Sequence, residues 1–146
     1  MKTIKYIVLA LALCALYIIH NDTIYAQAPK LLTVVEICPQ GSPTEIICKI
    51  RQAFPEEPEI MIAIAMAESG LNNKAVGYNC YYDGESKACE KQDRHKAWSK
   101  DFGLYQLNGT KPMTIDQNIK EARKLYDKRG KQPWNVWNTG AYKKYL

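Results

Sequence analysis

The stretch "AIAMAESGLN", Ala63 to Asn72, decides how this chain is read. Met61 to Ala67 carries no charge, and the carboxylate of Glu68 follows at once. Ile60, Met61, Ile62, Ile64 and Met66, with Ala63, Ala65 and Ala67 between them, leave no polar face. The alternation would also suit a strand, but the alanines favour a helix. A helix that is apolar all round is buried on every side. We therefore expect a helix from about Glu59 to Ser69, started by Pro58 and ended by Gly70. Glu68 falls in its last turn. An apolar surround disfavours the charged carboxylate, and so does the negative end of the helix dipole. An acid kept protonated near neutral pH is what a general acid must be. Glycoside cleavage needs such a proton, because a sugar oxygen leaves poorly without one. A carboxylate on the rim that pairs with a lysine would be the plainer explanation.

Working outward, "SPTE" reads as the start of an earlier helix. Ser42 is the N-cap, Pro43 opens the first turn and Glu45 completes a capping box. Ile46, Ile47, Ile50 and Phe54 form its apolar stripe. Leu71 to Lys100 is polar and reads as an irregular lobe. "DFGLYQLN", Asp101 to Asn108, is a short ordered segment. Thr114 then caps a helix with Gln117 three residues on, lined by Ile115, Ile119, Ala122 and Leu125 and ended by Gly130. Pro133 opens a last helix with Trp134, Trp137, Ala141 and Tyr145 on one face. The fold expected is mainly helical (α+β), with a small irregular or β lobe inserted after the Glu68 helix.

The chain begins differently. Lys2 and Lys5 precede an uncharged apolar run from Tyr6 to Ile19, and "IYAQAPK" follows. A basic start, an apolar core and small residues at a cleavage site make a secretory signal. Ala26 is the expected last residue, since a cut after Ala28 would leave Pro29 at the new end. An uncleaved anchor is the alternative, although the run is shorter than the ~20 residues a bilayer core needs. The domains read are thus 1–26 signal peptide, 27–41 lead-in and 42–146 a single domain, with the exported part secreted, periplasmic or in the cell envelope and no stable membrane span once the signal is cut.

The formal net charge of +5 falls to +4 when the signal, with Lys2, Lys5 and Asp22, is removed. That mild charge suits an anionic polymer or ordinary solubility, and its scatter argues against nucleic acid. Cys38, Cys48, Cys80 and Cys89 lie outside the signal. An even count in an exported chain favours two disulfides. Cys38–Cys48 and Cys80–Cys89 are preferred, because each closes a short local loop. Zinc is the competing use, weakened by the lack of a C-x-x-C and by His95 being the single histidine outside the signal. We expect no cofactor and no metal.

Three motifs now stand in order: "AESGLN", "DFGLYQLN" and "PWNVWNTGAY". Together they resemble the lysozyme-like superfamily over about residues 42–142. The first two resemble the Glu-Ser-x-x-Asn and Gly-Leu-x-Gln signatures of soluble lytic transglycosylases. "DFGLYQLN" is also similar to the Asp-Tyr-Gly-x-x-Gln-Ile-Asn element of animal-type lysozymes, and "WNVW" to their paired tryptophans. The resemblance implies a lysozyme-like domain that cleaves the β-1,4 bond between N-acetylmuramic acid and N-acetylglucosamine in peptidoglycan glycan strands. It implies Glu68 as catalytic acid and Asp101 as nucleophile or charge stabiliser. It implies Trp134 packed against the acid, Ser69, Gln106 and Asn108 lining the sugar cleft, and Tyr142 near the acid.

Two departures bear on the chemistry. The insertion "YNCYYDGESKACEKQDRHKAWS" makes the spacing from Glu68 to Asp101 about twice that of animal lysozymes, and the cysteine spacings match neither family. Transglycosylases use one Glu and close a 1,6-anhydro ring, whereas lysozymes use water and a second carboxylate. The sequence leans slightly to the former and leaves hydrolysis open. A non-catalytic wall-binding or structural protein is the rival class. Retention of an acid beside an apolar helix argues against it. The oligomeric state is not encoded legibly.

Overall fold

A computed structural model describes residues 37–41 and 43–146. The signal reading (1–26), most of the lead-in and the Ser42 cap lie outside the described residues. The described chain opens with α1 (Pro43–Ala53) and α2 (Pro58–Ser69). It continues through β1 (Val76–Tyr82) and β2 (Glu85–Ala88). A 3-10 turn (Lys91–Lys96) leads to β3 (Ser99–Phe102) and β4 (Leu107–Gly109). α3 (Ile115–Arg129), the one-turn α4 (Asn135–Asn138) and a second 3-10 segment (Ala141–Tyr145) complete it.

The sheet overturns the mainly helical, lysozyme-like fold class expected above. The molecule is mixed α+β, with a four-stranded antiparallel sheet in the order β2–β1–β3–β4 where a small irregular or β lobe on a mainly helical domain was expected. The reason is local. Tyr82 and Glu85 pair across a two-residue turn made by Asp83 (φ 54°) and Gly84 (φ 82°). Positive φ at both central positions gives the turn whose twist matches the flanking strands. The aromatic run "YNCYY" supplies a strand former. β1 then pairs β3 on its other edge, with Gly77 opposite Asp101 and Asn79 opposite Ser99.

The helices follow the sequence more closely. α2 ends at Gly70, in the left-handed conformation. It is not buried all round: Met61, Ala63, Ile64 and Ala65 are enclosed, while Ile62, Met66 and Glu68 are half-buried. The α3 capping box forms in full between Thr114 and Gln117. In α1 the Glu45 carboxylate accepts from the Gly41 N–H. The last helix is corrected. It breaks at Gly140 (φ 75°), so Tyr142 turns into the core while Ala141 and Tyr145 face solvent.

The core joins Ile50 and Phe54 of α1, Met61 and Ile64 of α2 and Ile119 of α3 to Leu104 and Tyr105 of the β3–β4 loop. That loop joins the sheet to the helices. Both its apolar side chains are fully enclosed, so it carries the sheet's end into the helical layer. Disulfides Cys38–Cys48 and Cys80–Cys89 staple α1 to the preceding segment and β1 to the chain after β2. This is the pairing that short loop closure favours, and it indicates a chain that matures in an oxidising, extracytoplasmic setting. Among the described residues, no helix is long and apolar enough to cross a membrane.

Candidate active site

A cleft of about 400 Å³ opens where the β3–β4 end of the sheet meets the helices, with Glu68 and Asp101 both in its wall. Glu68 arrives at the end of α2. Burial pushes its carboxyl up to about 7; a hydrogen bond from the Val136 N–H opposes this, and the charge of Asp101 adds to it. The two groups are thus close enough to interact electrostatically, although they come from different layers.

Asp101 sits on β3 and is held at both oxygens. Oδ2 accepts from Asn79 Nδ2 at 2.8 Å and Oδ1 from Asn108 Nδ2 at 3.1 Å. Asn108 is its cross-strand partner on β4, and Asn79 comes from β1. Two amide donors from two strands fix the direction of the carboxylate. Opposite Asp101 stands Gly77, where a Cβ would lie 2.7 Å from Gln106 Oε1 and 3.6 Å from Asp101 Cβ. The absence of a side chain there leaves room for Gln106, whose Nε2 donates to Ala75 O and Gly103 O.

The loop between Asp101 and Asn108 is locked from behind. Buried Asn118 accepts from the Tyr105 N–H and donates to Phe102 O. Trp134 Nε1 donates to Tyr105 O, and Tyr105 Oη donates to Met61 O. Ser69 Oγ, one residue past the acid, donates to Leu104 O at 2.9 Å. The end of the Glu68 helix is therefore tied directly to the loop that follows Asp101.

Of the residues expected from the sequence, Glu68, Asp101, Gln106, Asn108 and Trp134 line the cleft together. Ser69 and Tyr142 are not among its lining residues. Ser69 spends its hydroxyl on Leu104 and Ala65 carbonyls. Tyr142 is buried and stacked on Trp137 at 4.8 Å between centroids. Sequence reading missed Asn79, Asn118 and the polar far wall of Arg129, Gln132 and Asn135. Asn79 could have been found by alternation on β1 had the hairpin been recognised. Nothing in the sequence marks Asn118 apart from its position on the inner side of a capped helix. Among the described residues, no group of three or more His, Cys, Asp or Glu is placed to hold a metal ion.

No family model, curated protein or solved structure matches this chain.

Proposed function

We propose that the chain is an exported peptidoglycan-cleaving glycosidase acting on the β-1,4 bond between N-acetylmuramic acid and N-acetylglucosamine. One observation carries the reading: a half-buried glutamate with its carboxyl raised to about 7 shares a cleft with a second carboxylate oriented by two amides. Paired carboxyl groups with unlike environments are the general solution to glycoside cleavage. In the proposed reaction Glu68 protonates the glycosidic oxygen, and the C–O bond breaks. Asp101 stabilises the positive charge that develops on the sugar. Water, deprotonated by Glu68, then completes the hydrolysis. Asp101's place in the cleft supports this hydrolytic course over the single-carboxylate, anhydro-forming course toward which the sequence leaned. The disulfides suit action outside the cytoplasm, in the wall or the space around it.

Cell-wall gels test the proposal. Wild-type protein is expected to clear a zone in peptidoglycan, and Glu68→Gln is expected to leave the gel opaque. Refolded wild-type protein that leaves purified wall intact over a pH range of 4 to 8 would end the reading.

A further inference from the structure

Of the large hydrophobic side chains exposed among the described residues, Tyr81 and Trp98 are two, at 61% and 56% exposure. They touch, with ring centroids 5.2 Å apart and planes inclined by 36°. Single exposed hydrophobics are ordinary; a contacting aromatic pair left in water calls for a partner.

The sheet register says where Tyr81 faces. Asn79 reaches both Ser99 Oγ and Asp101 Oδ2 with its amide, so these three side chains share one face. Gly77 is on that face too, since a Cβ there would meet Asp101 and Gln106. Side chains alternate along a strand, so Tyr81 follows Gly77 and Asn79 on the same side; Trp98, one residue before β3, joins that side through its ring contact with Tyr81 and not by alternation. Arg94 and Lys100 lie over the ring of Tyr78, which alternation puts on the opposite face. From Gly77, beside Asp101, to Tyr81 is about 13 Å at some 3.3 Å per residue, longer than one sugar ring. Between the two ends lie the polar side chains of Asn79 and Ser99.

We infer that Tyr81 and Trp98 form a distal sugar-binding platform, on which a β-1,4-linked N-acetylhexosamine strand lies after leaving the Glu68–Asp101 cleft. The inference rests on the glycosidase reading and extends its binding site along β1. Pyranose rings carry apolar C–H faces that stack on aromatic rings, while their acetamido and hydroxyl groups reach polar side chains at the edge. A face with an aromatic pair at one end, amide and hydroxyl groups midway and a carboxylate at the other fits one continuous glycan. The platform contributes to long substrates and not to the chemical step.

The test uses Glu68→Gln as a binding-competent parent and an N-acetylglucosamine hexamer as probe, with dissociation constants from calorimetry. Trp98→Ala and Tyr81→Ala in that parent are expected to weaken hexamer binding about tenfold each, as for an aromatic hot spot. Trp98→Phe is expected to recover most of the loss, and Lys87→Ala on the exposed edge strand to change nothing. In the active background, Trp98→Ala should raise KM on long strands and leave kcat unchanged. Hexamer binding within twofold of the parent in both alanine variants, in a wild type that cleaves wall, overturns the platform alone. Binding lost in those variants, in a wild type that cannot cleave, keeps the platform and removes the catalytic reading. A parent that binds no hexamer, in a chain that cleaves no wall, removes both.

Discussion

On the proposed reading, one proton on Glu68 governs activity and stability together. Its carboxyl titrates near 7 instead of the ordinary 4.5. Only the protonated form donates, so kcat/KM for wall cleavage should fall as pH rises through about 7. Glu68→Gln keeps the shape and loses the acid; a drop of about 10²- to 10⁴-fold is expected, read as the rate of turbidity loss. Stability follows with a definite sign. The folded state keeps this proton between about 4.5 and 7, where the unfolded chain has released it. The contribution is complete below the unfolded value and lost as pH rises through the folded one. Glu68→Gln should therefore melt above wild type at pH 8 and alongside it at pH 4. The gain at pH 8 is about 1 kcal/mol, discounting the full shift for the water that reaches a half-buried group. An equal melting difference at both pH values would contradict the assignment. Glu68 was legible because its apolar run adjoins it in sequence. Asn79, which orients Asp101 from 22 positions away, was not, because only strand register brings the two together.

Turns and caps set what the elements can do. Gly103 starts the loop that carries the sheet into the core, with φ at +77° and a hypothetical Cβ 2.6 Å from Asn118 Nδ2. Asn118 cannot retreat without dropping the Tyr105 N–H and Phe102 carbonyl. Gly84 in the β1–β2 hairpin has nearly the same φ, +82°, and nothing within 4 Å. The pair separates backbone strain from steric cost. Gly84→Ala should cost about 1–2 kcal/mol, the price of the left-handed region alone. Gly103→Ala should cost at least about 1 kcal/mol more, since it also breaks a buried hydrogen-bond network. Urea melts of the two variants measure the difference, and equal midpoints would show that Asn118 is not the anchor. The same comparison explains what the sequence disclosed. Thr114 and Gln117 announced α3 because a capping box is contained within four residues. Asp83–Gly84 announced a hairpin just as locally, yet the polarity of the residues around it concealed the sheet. The exposed side chains of β2, an edge strand, look like loop. The last helix was overextended because its aromatic spacing ignored the break that Gly140 imposes.

At the scale of the molecule, the two carboxylates belong to different layers, and what holds the layers together fixes their relation. Glu68 is tied to the β3–β4 loop through Ser69, and Asp101, on β3, to the two flanking strands through Asn79 and Asn108. The Cys80–Cys89 bond joins β1, one residue past Asn79, to the chain that follows the edge strand β2. Replacing both of those cysteines by serine should cost about 2–3 kcal/mol through loop entropy, seen by calorimetry. Wall cleavage should stay within a few-fold of wild type, because the β1–β3 ladder and the Asn79 amide hold Asp101 without help from the disulfide. A loss of all activity in a protein that still folds would show that the hairpin holds Asp101 in place.

The products report the relation between the layers most directly. If Asp101 acts from across the cleft as proposed, water completes the reaction and each cut leaves a reducing end. Ring closure by the substrate's own hydroxyl would instead give 1,6-anhydro sugars, one water lighter. Mass spectrometry of a wall digest is expected to find reducing ends. Asp101→Asn keeps the shape of the side chain but not its charge, so it should lower kcat by at least about a hundredfold, in the range set by removing one group that stabilises transition-state charge. Hydrolysis requires both results, because the water pathway depends on the charge that Asp101 supplies. An anhydro-only digest together with a fully active Asp101→Asn protein would leave Glu68 working alone, and Asp101 would then be a structural acceptor for Asn79 and Asn108 at the edge of the cleft.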